Sequence, residues 1–319
     1  MATRVLILSE IRGLAEKLEA ACSPGEVEFV RSTVNDVSEQ DLATAEVIVA
    51  EPTTFADRAV DATSLKWFQS TYAGPDALLT KSSARHYTAT RLAGVYGPGM
   101  AEYVMLHVLA LERRYLEHVE WQRVKSWGEG GKIPQDYRRL QNLTLGVLGL
   151  GDIGSEVAKR AAAFGIRVVA CKRDVLAGCP ECVSEVFGAD RLPEFLRAVD
   201  YCVNILPSTA STRGLLSGGA LLECRDAVFI NIGRGDVCDE ASVLEALEAG
   251  SLRHAVLDVF PTEPLPQSSP LWEHPRVTVT PHNATPYFPE DVVGVFAENL
   301  RRYRSGEPLM HVFDWEKGY

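Results

Sequence analysis

Three side chains stand out because each follows an apolar, strand-like run and carries a reactive end. Arg234 closes Phe229-Ile230-Asn231-Ile232-Gly233-Arg234, Glu263 follows Leu257-Asp258-Val259-Phe260 in a turn with two prolines, and His282 follows Val279-Thr280-Pro281. Singly, each has an ordinary explanation: a surface cation, a turn carboxylate, a satisfied structural histidine. Loops at the carboxyl ends of parallel strands can converge, however, and the three together then have a chemistry. When hydride reaches a ketone carbon, negative charge builds on the oxygen, and a proton donor and a cation must already be in place. An arginine fork can hold the carboxylate and keto oxygens of a 2-oxo acid together, and His282 can give the proton. A carboxylate at Glu263 would favour the imidazolium and so raise the histidine pKa.

A dinucleotide has a candidate seat upstream. Leu143 to Leu148 leads into Gly149-Leu150-Gly151-Asp152-Ile153-Gly154, then an alanine-rich helix through Phe164, then a strand from Arg167 to Ala170. In that order, the glycines permit a tight turn, close approach of backbone to pyrophosphate and close packing of helix on strand, while the helix N-terminus offers N–H groups to the anion. Gly149, Gly151, Asp152, Ile153 and Gly154 are therefore candidate cofactor contacts. The end of the next strand selects the dinucleotide. A carboxylate about 20 residues past the glycines would bind the ribose hydroxyls of NAD. This chain has Lys172 and Arg173 there, followed by Asp174. Two cations suit a 2′-phosphate, so NADP(H) is expected to be preferred; NAD(H) stays open, because Asp174 would reverse the preference if it faced the ribose.

Taken together, these stretches resemble the D-2-hydroxyacid dehydrogenase family over nearly the whole chain. The likeness is greatest to its glyoxylate/hydroxypyruvate reductase branch, in Glu263-Pro264-Leu265-Pro266-Gln267-Ser268-Ser269-Pro270-Leu271-Trp272 and the terminal Lys317-Gly318-Tyr319. The resemblance implies that Arg234 binds substrate, that Glu263 supports the histidine, and that His282 binds substrate and is the acid/base. It implies that Asp258 contacts the nicotinamide side of the cofactor and that Pro207, Thr212 and Ile232 join the cofactor site. Tyr72-Ala73-Gly74-Pro75-Asp76 resembles the family's substrate-carboxylate loop; Pro75 has no N–H, so Ala73 and Gly74 are the expected contacts. The activity so implied is NADPH-preferring reduction of a small 2-oxo acid by a homodimer contacting mainly through the cofactor domain. Cys238 stands where the family usually has valine, an expected packing change, and Asn283 where it more often has an apolar residue. The alternative is a dinucleotide-sensing binding protein of the corepressor type, a branch that retains the same residues. Against it stand the cationic pair and the lack of a long disordered tail. Formate dehydrogenase pairs its histidine with a glutamine, where this chain has Glu263.

These residues need a scaffold that brings strand ends together. Val5 to Leu8, Val27 to Val30, Glu46 to Ala50 and Leu65 to Gln69 read as short buried strands of an alternating α/β domain. The breaker cluster Gly94-Val95-Tyr96-Gly97-Pro98-Gly99 precedes a long helix from near Met100. This helix is apolar almost all round from Tyr103 to Leu111, as expected for one buried between two layers. After a loop from Gly128 to Pro134 the strand pattern restarts with Leu143 to Leu150, Ile166 to Cys171, Tyr201 to Leu206, Val228 to Ile232, Ala255 to Phe260 and Arg276 to Thr280. A last helix, about Glu290 to Arg304, is expected to return to the first domain. The expected fold is α/β, with two Rossmann-like doubly wound domains built on parallel sheets and an active site in the cleft between them. The expected boundaries are 1–97 plus 287–319 for the substrate domain and 98–286 for the dinucleotide domain.

Composition agrees with an enzyme of this kind. The chain has 319 residues, 46% hydrophobic and 24% charged, enough for two cores. A net charge of -11 repels phosphate backbones, so nucleic acid is not an expected partner, and an anionic ligand must be held by local cations. Apolar runs fall short of the roughly 20 residues of a membrane helix, and the start lacks a secretory cleavage pattern, so no membrane partner and a cytoplasmic location are expected. Seven scattered cysteines fit reduced thiols. Cys179-Pro180-Glu181-Cys182 has no second pair at matching spacing, so it reads as a surface turn and no metal is expected.

Overall fold

The computed structural model describes residues 2–23, 25–128, 137–316 and 318. Most of the loop expected after Gly128, and Lys317 and Tyr319, lie outside the described residues. The chain divides into two units, Met1–Val95 with Tyr287–Tyr319, and Tyr96–Pro286.

In the first unit, β1 (Thr3–Leu8), β2 (Val27–Arg31), β3 (Val47–Ala50), β4 (Trp67–Ser70) and β5 (Thr88–Thr90) form one sheet in the order β2-β1-β3-β4-β5. Every neighbouring pair is parallel. Helices α1 (Leu14–Ala20), α2 (Glu39–Thr44), α3 (Pro52–Phe55) and α4 (Asp76–Lys81) make the crossovers. The sheet is covered on both faces, so its central strands are continuous apolar runs and not alternating ones. Successive side chains point to opposite faces. Phe68 thus stacks on Phe55, with ring centroids 4.6 Å apart, and its neighbour Trp67 stacks on Phe296 at 5.3 Å. Phe296 belongs to the last helix, Pro289–Ser305, which is further tied to β4 by a buried bond from Asn299 Nδ2 to Gln69 Oε1 (3.2 Å). That packing explains why the C-terminal segment belongs to the first unit.

The second unit opens with α5 (Gly97–Glu112) and α6 (Tyr115–Arg123). Then follow β6 (Thr144–Leu148), α7 (Asp152–Ala163), β7 (Arg167–Cys171), β8 (Val183–Phe187), α8 (Leu192–Arg197), β9 (Tyr201–Asn204), β10 (Ala227–Asn231), α9 (Glu240–Glu248), β11 (Leu252–Leu257) and β12 (Val277–Val279). Seven parallel strands lie in the order β12-β11-β10-β9-β6-β7-β8. The order reverses between β6 and β9, the switch point where doubly wound sheets bind ligands. One face packs Val104 and Val108 of α5 and Val157 and Ala161 of α7 against Tyr201, Val203 and Val256. The other packs Phe195 of α8 and Val243 and Leu247 of α9 against Phe229 and Leu257.

Three local expectations are corrected. β5 and β8 go unseen in the sequence, because Thr88-Ala89-Thr90 is short and Val183-Ser184-Glu185-Val186-Phe187 is an edge strand with polar positions. β11 runs Leu252–Leu257 instead of Ala255 to Phe260; it pairs from Leu252 onward, and Asp258 to Phe260 leave the sheet to begin the loop that carries Glu263. α5 starts at Gly97, with Pro98 in its first turn, and it is not buried all round: Leu106 is 60% exposed. Only the side of α5 facing α7 and the sheet is covered within this unit.

Candidate active site

The glycine loop is built by steric necessity. Gly149 has φ 102°, and its N–H reaches back to Cys171 O (3.0 Å). A Cβ on Gly154 would stand 2.3 Å from Gly149 O, so only glycine lets α7 pack against the turn. At Gly151, by contrast, a Cβ would meet nothing within 4 Å, so the backbone there is open to a ligand. The first bond within α7 is Ser155 N–H to Gly151 O (2.9 Å), ahead of which lie the N–H groups of Asp152, Ile153 and Gly154. Open backbone at a helix N-terminus on the switch point fits the pyrophosphate of a dinucleotide.

At the end of β7 the three charged residues do different things. Lys172 Nζ donates to the carbonyls of Ala177 and Gly178 (3.0 Å to the latter), while Asp174 Oδ1 accepts the N–H groups of Leu176 (3.1 Å) and Ala177 (3.2 Å). Both therefore close the turn on itself. Arg173 is exposed between them. Lys172 and Arg173 thus stand together at the end of β7, the Lys172 ammonium against carbonyls of its own turn. Cys179 and Cys182 flank a turn closed by Val183 N–H to Pro180 O (3.0 Å). Among the described residues no group of three or more His, Cys, Asp or Glu could hold a metal ion, and no helix is long and apolar enough to cross a membrane.

The loops after β9 and β10 are locked together by a pair of buried asparagines that the sequence reading missed. Asn204 Nδ2 donates to Asn231 Oδ1 (2.9 Å), which also accepts Gly233 N–H (3.2 Å). Asn204 Oδ1 accepts Leu206 N–H (3.2 Å), and Asn231 Nδ2 reaches Arg234 O (3.3 Å). Of the expected cofactor contacts here, Ile232 is a core residue, 4% exposed. Thr212 bonds with its hydroxyl to Pro207 O and accepts Thr209 N–H (2.8 Å), stapling its own loop. Cys238 is buried, its thiol directed at Leu216 O (3.4 Å), and burial pushes its pKa up to about 12, as suits a packing residue.

Arg234, Glu263 and His282 come together. A Cβ on Gly235 would lie 1.9 Å from Phe260 C, so the arginine loop rests directly on the backbone of the glutamate loop. Glu263 Oε1 accepts Phe260 N–H (2.9 Å), and Oε2 lies 2.7 Å from His282 Nδ1. A carboxylate only accepts, so Nδ1 carries the proton and Nε2 is left as the working end. Burial pushes the Glu263 carboxyl up, but the His282 and Phe260 bonds and the charges of His282 and Arg234 outweigh it and hold it below the usual range. The same bond to Glu263 raises the His282 pKa; burial and Arg234 oppose it without reversing it. Asp258, at 1% exposure, accepts Thr280 Oγ1 (2.6 Å), Asn283 N–H (2.9 Å) and Ala284 N–H (3.0 Å). It anchors the histidine turn, a part the sequence reading did not give it, and the departure at Asn283 enters that turn through its backbone.

In the first unit, Tyr72-Ala73-Gly74-Pro75-Asp76 leaves the end of β4. Ser70 Oγ accepts Tyr72 N–H (2.9 Å) and donates to Tyr72 O (2.9 Å), and Pro75 O accepts Leu78 N–H (2.9 Å) at the start of α4.

Residues 105–284 match the family model of the D-isomer specific 2-hydroxyacid dehydrogenase NAD-binding domain. Glyoxylate/hydroxypyruvate reductase A of Serratia proteamaculans is 36% identical over 257 residues, 77% of this chain and 79% of that protein. Among solved structures, a D-isomer specific 2-hydroxyacid dehydrogenase family protein from Aeromonas salmonicida superposes with TM-score 0.88 at 34% identity, over 99% of this chain and 100% of that one. A D-isomer specific 2-hydroxyacid dehydrogenase from Xanthobacter autotrophicus, in complex with NADPH and MES, gives 0.86 at 31% identity over the whole of both chains. With its two parallel-sheet units, its open glycine loop and these relatives, the chain belongs to the D-isomer-specific 2-hydroxyacid dehydrogenases, enzymes that use a nicotinamide dinucleotide and act on small 2-oxo acids.

Proposed function

We propose that the chain reduces a 2-oxo acid of the glyoxylate or hydroxypyruvate type, preferring NADPH, with His282 as proton donor, Glu263 as its support and Arg234 as the substrate's cation. The observation that carries this reading is the 2.7 Å bond between His282 Nδ1 and Glu263 Oε2 within reach of the Arg234 charge. The dinucleotide, when bound, supplies hydride. Arg234 holds the carboxylate and keto oxygens and favours the charge that develops on the latter. His282, kept cationic by Glu263, then gives its Nε2 proton to that oxygen. Asp258 acts on the cofactor's nicotinamide side, and Pro207 and Thr212 through the loop they close.

The NADPH preference is supported by the cations Lys172 and Arg173 at the end of β7, with Asp174 committed to its own turn. The relative from Serratia, named for glyoxylate and hydroxypyruvate, supports the substrate class. A homodimer is supported by α6, none of whose residues is buried although it carries Tyr115, Leu116 and Val119. With Leu106 and Trp127, the latter 84% exposed, these form an apolar surface that a second copy would cover. The test is NADPH oxidation with glyoxylate, hydroxypyruvate and phenylpyruvate. Turnover with the first two above the third is expected; no turnover with any of them would overturn the reading.

A further inference from the structure

Behind His282 runs a chain of hydroxyls that the reaction does not use. The Asp258 carboxylate takes the Thr280 hydroxyl and the N–H groups of Asn283 and Ala284, and its backbone oxygen takes His282 N–H (2.9 Å). One buried residue thereby fixes the turn Thr280–Ala284, on which His282 sits at φ 51°, left-handed backbone that disfavours a residue with a Cβ. The Thr280 hydroxyl lies 2.7 Å from that of Tyr103 on α5. Counting protons gives the direction of the bonds. A carboxylate only accepts, so the single Thr280 proton goes to Asp258, and Tyr103 must donate to Thr280. Burial pushes the Tyr103 pKa up to about 12, so this hydroxyl keeps its proton at working pH.

We propose that Tyr103 and Thr280 are positioning residues, whose serial bonds Tyr103 O–H to Thr280 O–H to Asp258 hold the strained turn that presents His282 to Glu263. This deepens the reading of His282 as the acid, and it stands on contacts inside one unit. Charged and titratable groups facing the relay are few. His282 meets Glu263, Arg234 and Asp258, while His107 packs on the Tyr103 ring at 4.5 Å and burial holds its pKa below the usual imidazole range, with Asp258 opposing. Cutting the relay lets the turn relax, weakens the Glu263 bond, and lowers the His282 pKa.

The experiment compares Tyr103→Phe, Thr280→Val, Thr280→Ser and the Phe/Val double variant. NMR titration of His282 in the cofactor-free protein is expected to give a lower pKa in Tyr103→Phe and Thr280→Val, by about half a unit or more, with Thr280→Ser restoring it. In turnover, kcat falls about tenfold while KM for NADPH holds, and the double variant is no worse than Thr280→Val alone, because the bonds are in series. Wild-type His282 pKa and kcat in both single variants would overturn the proposal, as would losses that add. Tyr103→Phe keeps the ring and its packing, so it carries the test if Thr280→Val does not fold. Should the wild-type protein reduce no 2-oxo acid, the functional reading fails, and the titration still decides the relay.

Discussion

At the scale of single residues, function here depends on what holds each charge. The His282 pKa is raised by Glu263, so the ring stays cationic to a higher pH than an isolated histidine, and the proposed reduction uses that cation. As pH rises through the raised pKa the donor is lost, and kcat/KM for the 2-oxo acid is expected to fall on the alkaline side. Glu263→Gln removes the charge that favours the imidazolium, so the same fall should begin at lower pH. His282→Ala should lower turnover by about 100-fold or more while the NADPH dissociation constant is kept. Near wild-type turnover, with chemistry rate-limiting, would refute the assignment. Arg173 is the second case. A charge-assisted bond is worth about 1.5 to 3 kcal/mol, so Arg173→Ala should cost NADPH about tenfold or more in kcat/KM and leave NADH nearly unchanged. An equal loss with both cofactors would show that Arg173 does not read the 2′-phosphate.

Elements act by pressing loops together. The arginine loop and the glutamate loop are in backbone contact only because position 235 has no side chain: a Cβ there falls 1.9 Å from Phe260 C, and backbone cannot step aside as a flexible side chain does. Gly235→Ala is therefore expected to displace Arg234 from the Glu263–His282 pair. It should lower kcat/KM for the 2-oxo acid by about tenfold or more, while dinucleotide binding at the glycine loop persists. A variant with wild-type kinetics would mean the two loops tolerate separation. The asparagine clamp between β9 and β10 works likewise on the other side of Arg234. Such partners are invisible in sequence, since an asparagine at a strand end reads as an ordinary turn former.

For the whole molecule, the open question of composition is where apolar surface goes. The helix pair α5 and α6 leaves Leu106, Tyr115, Leu116 and Val119 uncovered in one chain, and Trp127 beyond α6 is uncovered as well. Sedimentation at micromolar concentration should give a species of twice 35.0 kDa, and Leu116→Glu should shift it toward the monomer. A wild-type protein that sediments only as the monomer would sink the dimer.

What the sequence determined by itself is whatever is local or periodic. Gly149, Gly151 and Gly154 declare a turn, an open backbone and a close packing within six residues, and the apolar runs of β3, β6, β9 and β10 declare parallel strands buried on both faces. Arg234, Glu263 and His282, which the structure brings together, stood out in the sequence because each follows such a run. Tertiary structure alone decided the rest. Lys172 and Asp174 turn inward to their own loop, which residue order cannot show, because orientation depends on which carbonyls and N–H groups the turn leaves open. The apolar circumference of α5 says nothing of which side the sheet covers. Tyr103 and Thr280 lie far apart in the chain and meet only because α5 packs on one face of the sheet, so their bond exists at the level of packing and not of pattern.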